Sequence, residues 1–221
     1  MRTPPWSLAG RTVLLTGAGG ATGRSAATAL SAAGAKVVGV DHDKDALVEL
    51  IATGALADGQ AGELTDPDFA GQVVADQPAV DVLVNIVGSG LSRPLADTGD
   101  DLLDAMLDAN LRTVLRLCRA YVPGMARRRR GKVVNVSAGL ARQPGATVAA
   151  YAAAKAALTG FTQSIALEYA GRGVQCNVLA PGYLAAGRRG PRDALTGPLL
   201  FLASSMSDHV TGQVLVVDGV W

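Results

Sequence analysis

The chain has 221 residues, 49% hydrophobic and 18% charged, which is enough apolar material for one ordinary domain with a full core and too much for disorder. Its 20 basic and 19 acidic side chains nearly cancel, so neither nucleic acid nor an anionic membrane surface is an expected partner. The two cysteines and two histidines stand apart from one another, which argues against a disulfide framework, a metal site or a Ser-His-Asp hydrolase.

Met1-Arg-Thr-Pro-Pro-Trp6 shows no apolar signal region. No run approaches the roughly 18 apolar residues of a membrane span, and isolated thiols suit a reducing compartment. A cytoplasmic protein is expected.

Residues 12–16 (Thr-Val-Leu-Leu-Thr) read as a buried strand running straight into Gly17-Ala-Gly-Gly-Ala-Thr-Gly23. An Ala/Leu-rich helix follows to Ala33, where Gly34 supplies the usual stop. Residues 36–40 form a second apolar strand ending at Asp41, followed by a helix over 44–53 and a weak strand near 60–64. Asp66-Pro67 opens a helix with proline in its first turn. Residues 80–85 are a strand, 100–129 a long helical region and 132–136 another strand. The Ala-rich stretch 148–170 predicts one long helix. Residues 174–179 and 214–217 are the last strands, with an apolar helix at 199–203 between them.

Short apolar strands alternating with helices predict a single doubly wound α/β domain over 1–221, its parallel seven-stranded sheet covered by helices on both faces. Ligands of such sheets bind beyond the strands' carboxyl ends, near the point where strand order reverses. The 17–23 loop, Asp41, Asn85, Ser137 and Pro181-Gly182 all fall at such ends, which predicts one shared site.

Gly17, Gly19, Gly20 and Gly23, with Thr22, follow a strand and precede a helix, where a backbone free to turn sharply lets a dinucleotide phosphate approach main-chain N–H groups. Asp41, 18 residues after Gly23, can accept both adenosine ribose hydroxyls and would repel a 2′-phosphate, which favours NAD over NADP. Tyr151 and Lys155 are four residues apart on one helix face. A free phenol titrates near pH ~10, and a neighbouring ammonium lowers that value toward the range of a general acid/base. Arg127-Arg-Arg-Arg-Gly-Lys132 reads as a last helical turn whose cations complement the helix dipole, with Gly131 as the stop, rather than as a nucleic-acid patch.

Thr16-Gly-Ala-Gly-Gly-Ala-Thr-Gly23, Asp81-Val-Leu-Val-Asn85-Ile-Val-Gly88, Asn110-Leu111, Tyr151-x-x-x-Lys155, Pro181-Gly182 and Thr211-Gly-Gln-Val-Leu-Val-Val-Asp-Gly219 follow in that order. Together they resemble the motifs of the short-chain dehydrogenase/reductase family over nearly the whole chain. The resemblance implies a Rossmann-type domain and an NAD(H)-dependent oxidoreductase interconverting a secondary alcohol and a ketone on a small molecule. Tyr151 would exchange a proton with the substrate oxygen, and Lys155 would hold the nicotinamide ribose and lower the tyrosine pKa. Asn110 would anchor a water in the proton relay, and a serine after the fifth strand would orient the substrate oxygen. Asn85, Val87, Pro181 and Leu184 would line the cofactor, with Glu63 and Leu64 near the adenine. The family commonly pairs the helices carrying 111–121 and 156–169 between subunits, so a homodimer or homotetramer is expected.

Several positions depart from the family pattern. Ala21 stands where a second loop glycine is usual and adds a methyl near the pyrophosphate, Ile86 replaces an asparagine, and Glu63 replaces an aspartate. The catalytic serine is commonly 13 residues before the tyrosine, and that position is Ala138, with Ser137 adjacent. Successive strand residues face opposite ways, so Ser137 reaches the substrate only if the loop shifts register by one residue. The 16 residues of 183–198 are short for a substrate lid, which implies a pocket open on that side. These departures motivate a second reading, a non-redox dehydration, cyclisation or isomerisation using Tyr151 as acid/base. A third, a non-enzymatic binding subunit, is disfavoured by the intact Tyr151/Lys155 pair.

Overall fold

The computed structural model describes residues 4–182 and 194–218. Within them β1 (Thr12–Thr16), β2 (Lys36–Asp41), β3 (Asp58–Ala61), β4 (Val82–Asn85), β5 (Gly131–Val136), β6 (Val174–Pro181) and β7 (Val214–Val217) form one sheet in the order β3-β2-β1-β4-β5-β6-β7. Every neighbouring pair is parallel. This is the predicted doubly wound architecture. Strand order reverses between β1 and β4, which pair with Thr16 opposite Asn85.

Alternation along the central strands sends side chains to two apolar layers. Val13 and Leu15 of β1 pack with Val82 and Val84 beneath α1 (Ala21–Ala32), α2 (Lys44–Ala52) and α7 (Thr196–Ala203). Leu14 and Leu83 face the other way, against α3 (Pro67–Asp76), α5 (Thr113–Arg127) and α6 (Ala149–Glu168). Burial on both faces explains why these strands read as continuous apolar runs. Cys118 and Cys176 lie buried in this second layer as free thiols, the Cys176 thiol pushed up to about 12 by desolvation. No helix among the described residues is long and apolar enough to cross a membrane.

The helix starts follow local chemistry. Asp43 accepts the Ala46 amide at the head of α2 (2.9 Å), and Asp66 accepts that of Asp68 at the head of α3, where Pro67 needs no donor. Three predicted elements differ. The strand expected near 60–64 pairs two residues earlier, as the polar edge strand β3, because its register follows β2 rather than any apolar pattern, and Leu64 turns into the core instead.

The long helical region divides into α4 (Asp100–Leu107), a widened π turn over Asp108–Arg112, and α5. Side chains take up carbonyls at this widening: Asn110 Nδ2 donates to Met106 O (3.0 Å) and Thr113 Oγ1 to Asp108 O (2.9 Å).

The third difference lies at the arginine run. α5 ends at Arg127, and Arg129 rather than Gly131 takes the left-handed stop, with φ 52° and its amide on Ala126 O. Arg130 N reaches back to Met125 O, completing the double closure that glycine usually makes, at a cost of about 1 kcal/mol for a residue with a Cβ. Gly131 is required for packing instead, since a Cβ there would strike the Met125 side chain. Arg128 donates to Val80 O (2.8 Å), Arg130 pairs with Asp81 (2.8 Å) and Lys132 with Asp208 (2.7 Å), so the run is dispersed over the sheet's lower rim rather than gathered in one helical turn.

Candidate active site

The β1–α1 loop is shaped by its glycines. Gly17 has φ 72°, and its amide and that of Ala18 both reach Val40 O (2.8 and 3.3 Å), tying the loop to β2. At Gly23 a Cβ would overlap Gly17 O and the Ala18 backbone, so only glycine lets α1 sit this close. Gly20 caps α1 without a side-chain hydrogen bond, which leaves the helix's first N–H groups facing an open cleft. That is the cradle a phosphate requires. The cleft holds about 480 Å³, and Gly17, Gly19, Gly20, Thr22 and Gly23 all line it. The Ala21 methyl is exposed at its wall and leaves it open.

Asp41, on the same cleft, is 8% exposed. Its Oδ2 accepts the Gly19 amide (2.8 Å), its Oδ1 accepts that of Asp43 (3.0 Å), and His42 Nδ1 lies 3.3 Å away. Each oxygen keeps a further lone pair for a hydroxyl donor. Exposed Glu63, buried Leu64, and Val87 complete the opposite wall. Pro181 ends β6 beside Val217, away from this cleft's lining. Leu184 and most of the short lid lie outside the described residues.

Asn85 requires a correction. Its side chain is fully buried and is not part of this cleft's lining: Nδ2 donates to Asn135 Oδ1 (2.8 Å) and Oδ1 accepts from Thr16 (3.4 Å), while Asn135 donates to Thr162 (2.9 Å) on α6. This chain of amides and hydroxyls crosses β1, β4 and β5 at their carboxyl ends and bolts α6 to the sheet. A sequence pattern cannot distinguish such an internal network from a cofactor contact.

Tyr151 and Lys155 occupy the first two turns of α6, as their spacing predicts, with Lys155 Nζ 6.0 Å from the tyrosine ring centroid. Lys155 is 3% exposed and its Nζ donates to Val136 O (3.0 Å). Gly88 makes room for this group. A Cβ on Gly88 would stand 2.5 Å from Asn110 Oδ1 and 3.0 Å from Lys155 Nζ, and one on Gly90 would touch the Tyr151 ring at 3.6 Å. Gly90 is a neighbour of the Tyr151 ring at ordinary contact distance, which nothing in its local sequence marks. Asn110 is delivered by the π turn, its Nδ2 also donating to Ser89 O (2.8 Å), while its buried Oδ1 finds no partner among the described residues. Asn110, Tyr151 and Lys155 therefore converge.

The expected electrostatics are reversed in this arrangement. Burial pushes the Tyr151 phenol up and takes Lys155 down to about 8. Desolvation dominates because the ammonium is held by a carbonyl at the sheet end rather than beside the phenol oxygen. A lysine with its pKa depressed in the folded state contributes full stability above its usual 10.5, and this contribution fades as pH falls through about 8. Stability relative to a Lys155→Met variant is therefore expected to climb between pH 8 and 10.5, measured by calorimetry; a flat difference would contradict the burial argument.

Ser137 also faces away from its expected task. It is 4% exposed, and its Oγ donates to Lys155 O (2.9 Å) with Thr159 Oγ1 at 3.4 Å, so the loop has not shifted to offer this hydroxyl to a substrate. Ala138 follows in extended conformation.

The family model described as short chain dehydrogenase matches residues 11–194. The 2-dehydro-3-deoxy-D-gluconate 5-dehydrogenase of Pseudoalteromonas atlantica is 34% identical, the match covering 98% of this chain and 97% of the relative. The 3-oxoacyl-acyl-carrier-protein reductase FabG of Escherichia coli is 32% identical, with 95% and 96% covered. A gluconate 5-dehydrogenase from Burkholderia cenocepacia, solved with NADP and tartrate, superposes with a TM-score of 0.89 at 30% identity, covering 97% of this chain and 96% of that one. With a glycine cradle, a convergent Tyr-Lys-Asn group and relatives matched from end to end, the chain belongs to the short-chain dehydrogenase/reductase family of oxidoreductases, which interconvert secondary alcohols and ketones.

Proposed function

We propose that the chain uses NAD(H) in preference to NADP(H), that Asp41 sets this preference, and that the substrate is a small hydroxy- or keto-acid. The observation carrying the cofactor reading is the Asp41 carboxylate, fixed by two main-chain amides at the rim of the glycine cradle. Two ribose hydroxyls can donate to it, whereas a 2′-phosphate there brings like charges together. The Burkholderia relative was solved with NADP, so the two dinucleotides are the competing readings.

Bound in this cleft, the nicotinamide supplies or accepts the hydride. Tyr151 donates a proton to the ketone oxygen, or takes it from the alcohol. Lys155, held beside Gly88, donates hydrogen bonds toward the ribose, and Asn110 steadies the same corner through the Ser89 carbonyl. The sugar-acid reading draws on the named substrates of the relatives and on Arg93 and Arg142. Both are exposed, Arg93 on the loop that carries Gly88 and Gly90 and Arg142 on the loop after β5, and the Arg93 amide is bonded to Thr147 O (2.6 Å), which joins the loops. No observation favours the non-redox reading.

A groove of about 490 Å³ between α5 and α6, lined by Leu115, Val122, Phe161, Ile165 and Tyr169, supports a homodimer or homotetramer. Buried, unpaired thiols support a cytoplasmic location.

Fluorescence titration with NADH and NADPH tests the cofactor reading. Asp41→Asn is expected to weaken NADH binding by about tenfold, the scale of one charge-assisted hydrogen bond, and to narrow the gap to NADPH. An unchanged ratio of affinities would refute the ribose role.

A further inference from the structure

At the opposite end of the sheet from the glycine cradle lies a second concavity of about 680 Å³, larger than the dinucleotide cleft. It opens below the amino ends of β1, β4, β5 and β6. Arg11, Arg129, Arg130 and Lys132 line it against two carboxylates, Asp81 and Asp208. The whole chain carries a net charge of only +1, so this local excess of cations is not a reflection of a basic protein.

The carboxylates are already engaged. Asp81 accepts the Thr12 amide (2.9 Å) and pairs with Arg130 (2.8 Å), and Asp208 pairs with Lys132 (2.7 Å), whose Nζ also reaches Ser207 Oγ (3.1 Å). Among the described residues the Arg11 side chain has no partner, and the Arg129 guanidinium gives one hydrogen bond, to Gly171 O (3.2 Å). Two guanidinium groups therefore face the cavity with most of their donors unused. The Arg129 backbone is closely constrained there. Its φ of 52° suits glycine, and Gly173 packs without a Cβ directly onto its carbonyl. A glycine would sit at Arg129 at lower backbone cost, so the arginine stands there against local backbone preference. The Lys132 ammonium is pushed down by burial, against the Asp208 carboxylate that favours its charge, with a smaller downward push from Arg11.

We propose that this lower cavity is a binding site for a small multivalent oxyanion, of the phosphate or polycarboxylate type, held by Arg11 and Arg129 with Lys132 behind them. Forked guanidinium groups match paired oxygens of either class. The site shares no residue with the glycine cradle, so it stands apart from the cofactor reading.

Calorimetric titration of the full-length protein with inorganic pyrophosphate and with citrate, in chloride at matched ionic strength, tests it. Binding of at least one probe is expected, weakened by tenfold or more in Arg11→Gln and in Arg129→Gln. Pyrophosphate alone binding would mark a phosphate site, and citrate alone a polycarboxylate site. The Arg11 side chain makes no hydrogen bond among the described residues, and its backbone bonds to Leu8 and Lys36 survive substitution, so its variant is expected to melt as the parent does. Pyrophosphate held at the glycine cradle would bind equally to parent and both variants, and that result would overturn the proposal. Failure of both probes to bind the parent protein would overturn it as well.

Discussion

Tyr151→Phe is expected to lower kcat/KM for ketone reduction by about 10²- to 10⁴-fold, the range that a positioned general acid contributes, while NADH affinity stays unchanged. The Tyr151 hydroxyl is a partly exposed proton donor at this corner. Lys155 is held on Val136 O and Asn110 on two carbonyls. The phenylalanine ring fills the same space against Gly90, so the loop 88–95 is expected to keep its place. Steady-state kinetics with a fluorescence titration separates the outcomes. A loss of NADH affinity equal to the loss of rate would mean that Tyr151 is a wall of the cleft, and undiminished turnover would remove it from the chemistry.

Ala138→Ser is the second large effect, and in the opposite direction. Ser137 cannot serve the substrate oxygen while its hydroxyl is buried on the Lys155 carbonyl. The oxygen then relies on Tyr151 without the serine that the family commonly supplies. Removing one hydrogen-bond donor from a developing oxyanion typically costs about 10² to 10³ in kcat. Restoring it at the usual spacing is expected to raise kcat on small ketones by up to about 10²-fold, with NADH binding unchanged. Ser137→Ala serves as the contrast: it is expected to lower stability through the lost α6 contact and to leave the chemical step alone. Should Ala138→Ser change nothing on any ketone, the substrate oxygen lies away from position 138.

How much of this was visible beforehand differs from element to element. The strand beginning at Thr12 and the helix carrying Tyr151 were legible because an apolar run buried on both faces and an Ala-rich stretch each admit few conformations. β3 was placed late, since Asp-Gly-Gln-Ala has no pattern of its own and takes its register from β2. The break in the 100–129 region was hidden for a related reason. Its π turn is held by side-chain bonds from Asn110 and Thr113 that arise only once the helix packs. The helix stop at Arg129 ran against the glycine rule because Met125 leaves no room for a Cβ at Gly131, while β6 begins where Gly173 can meet the Arg129 carbonyl.

The site divides in the same way. The chain alone determined the doubly wound sheet, the glycine cradle, Asp41 at the strand end and the pairing of Tyr151 with Lys155, because apolar strand runs, backbone freedom and helical pitch depend on short stretches of residues. Tertiary structure decided what each polar group meets. It buried Asn85 in a network with Asn135 and Thr162, turned Ser137 toward the α6 backbone, and put Lys155 on the Val136 carbonyl. It also gathered Arg11 with residues 129–132 around one cavity. Such contacts act over a few ångströms in space, between residues 18 to 121 positions apart in these cases, and no local pattern encodes that distance.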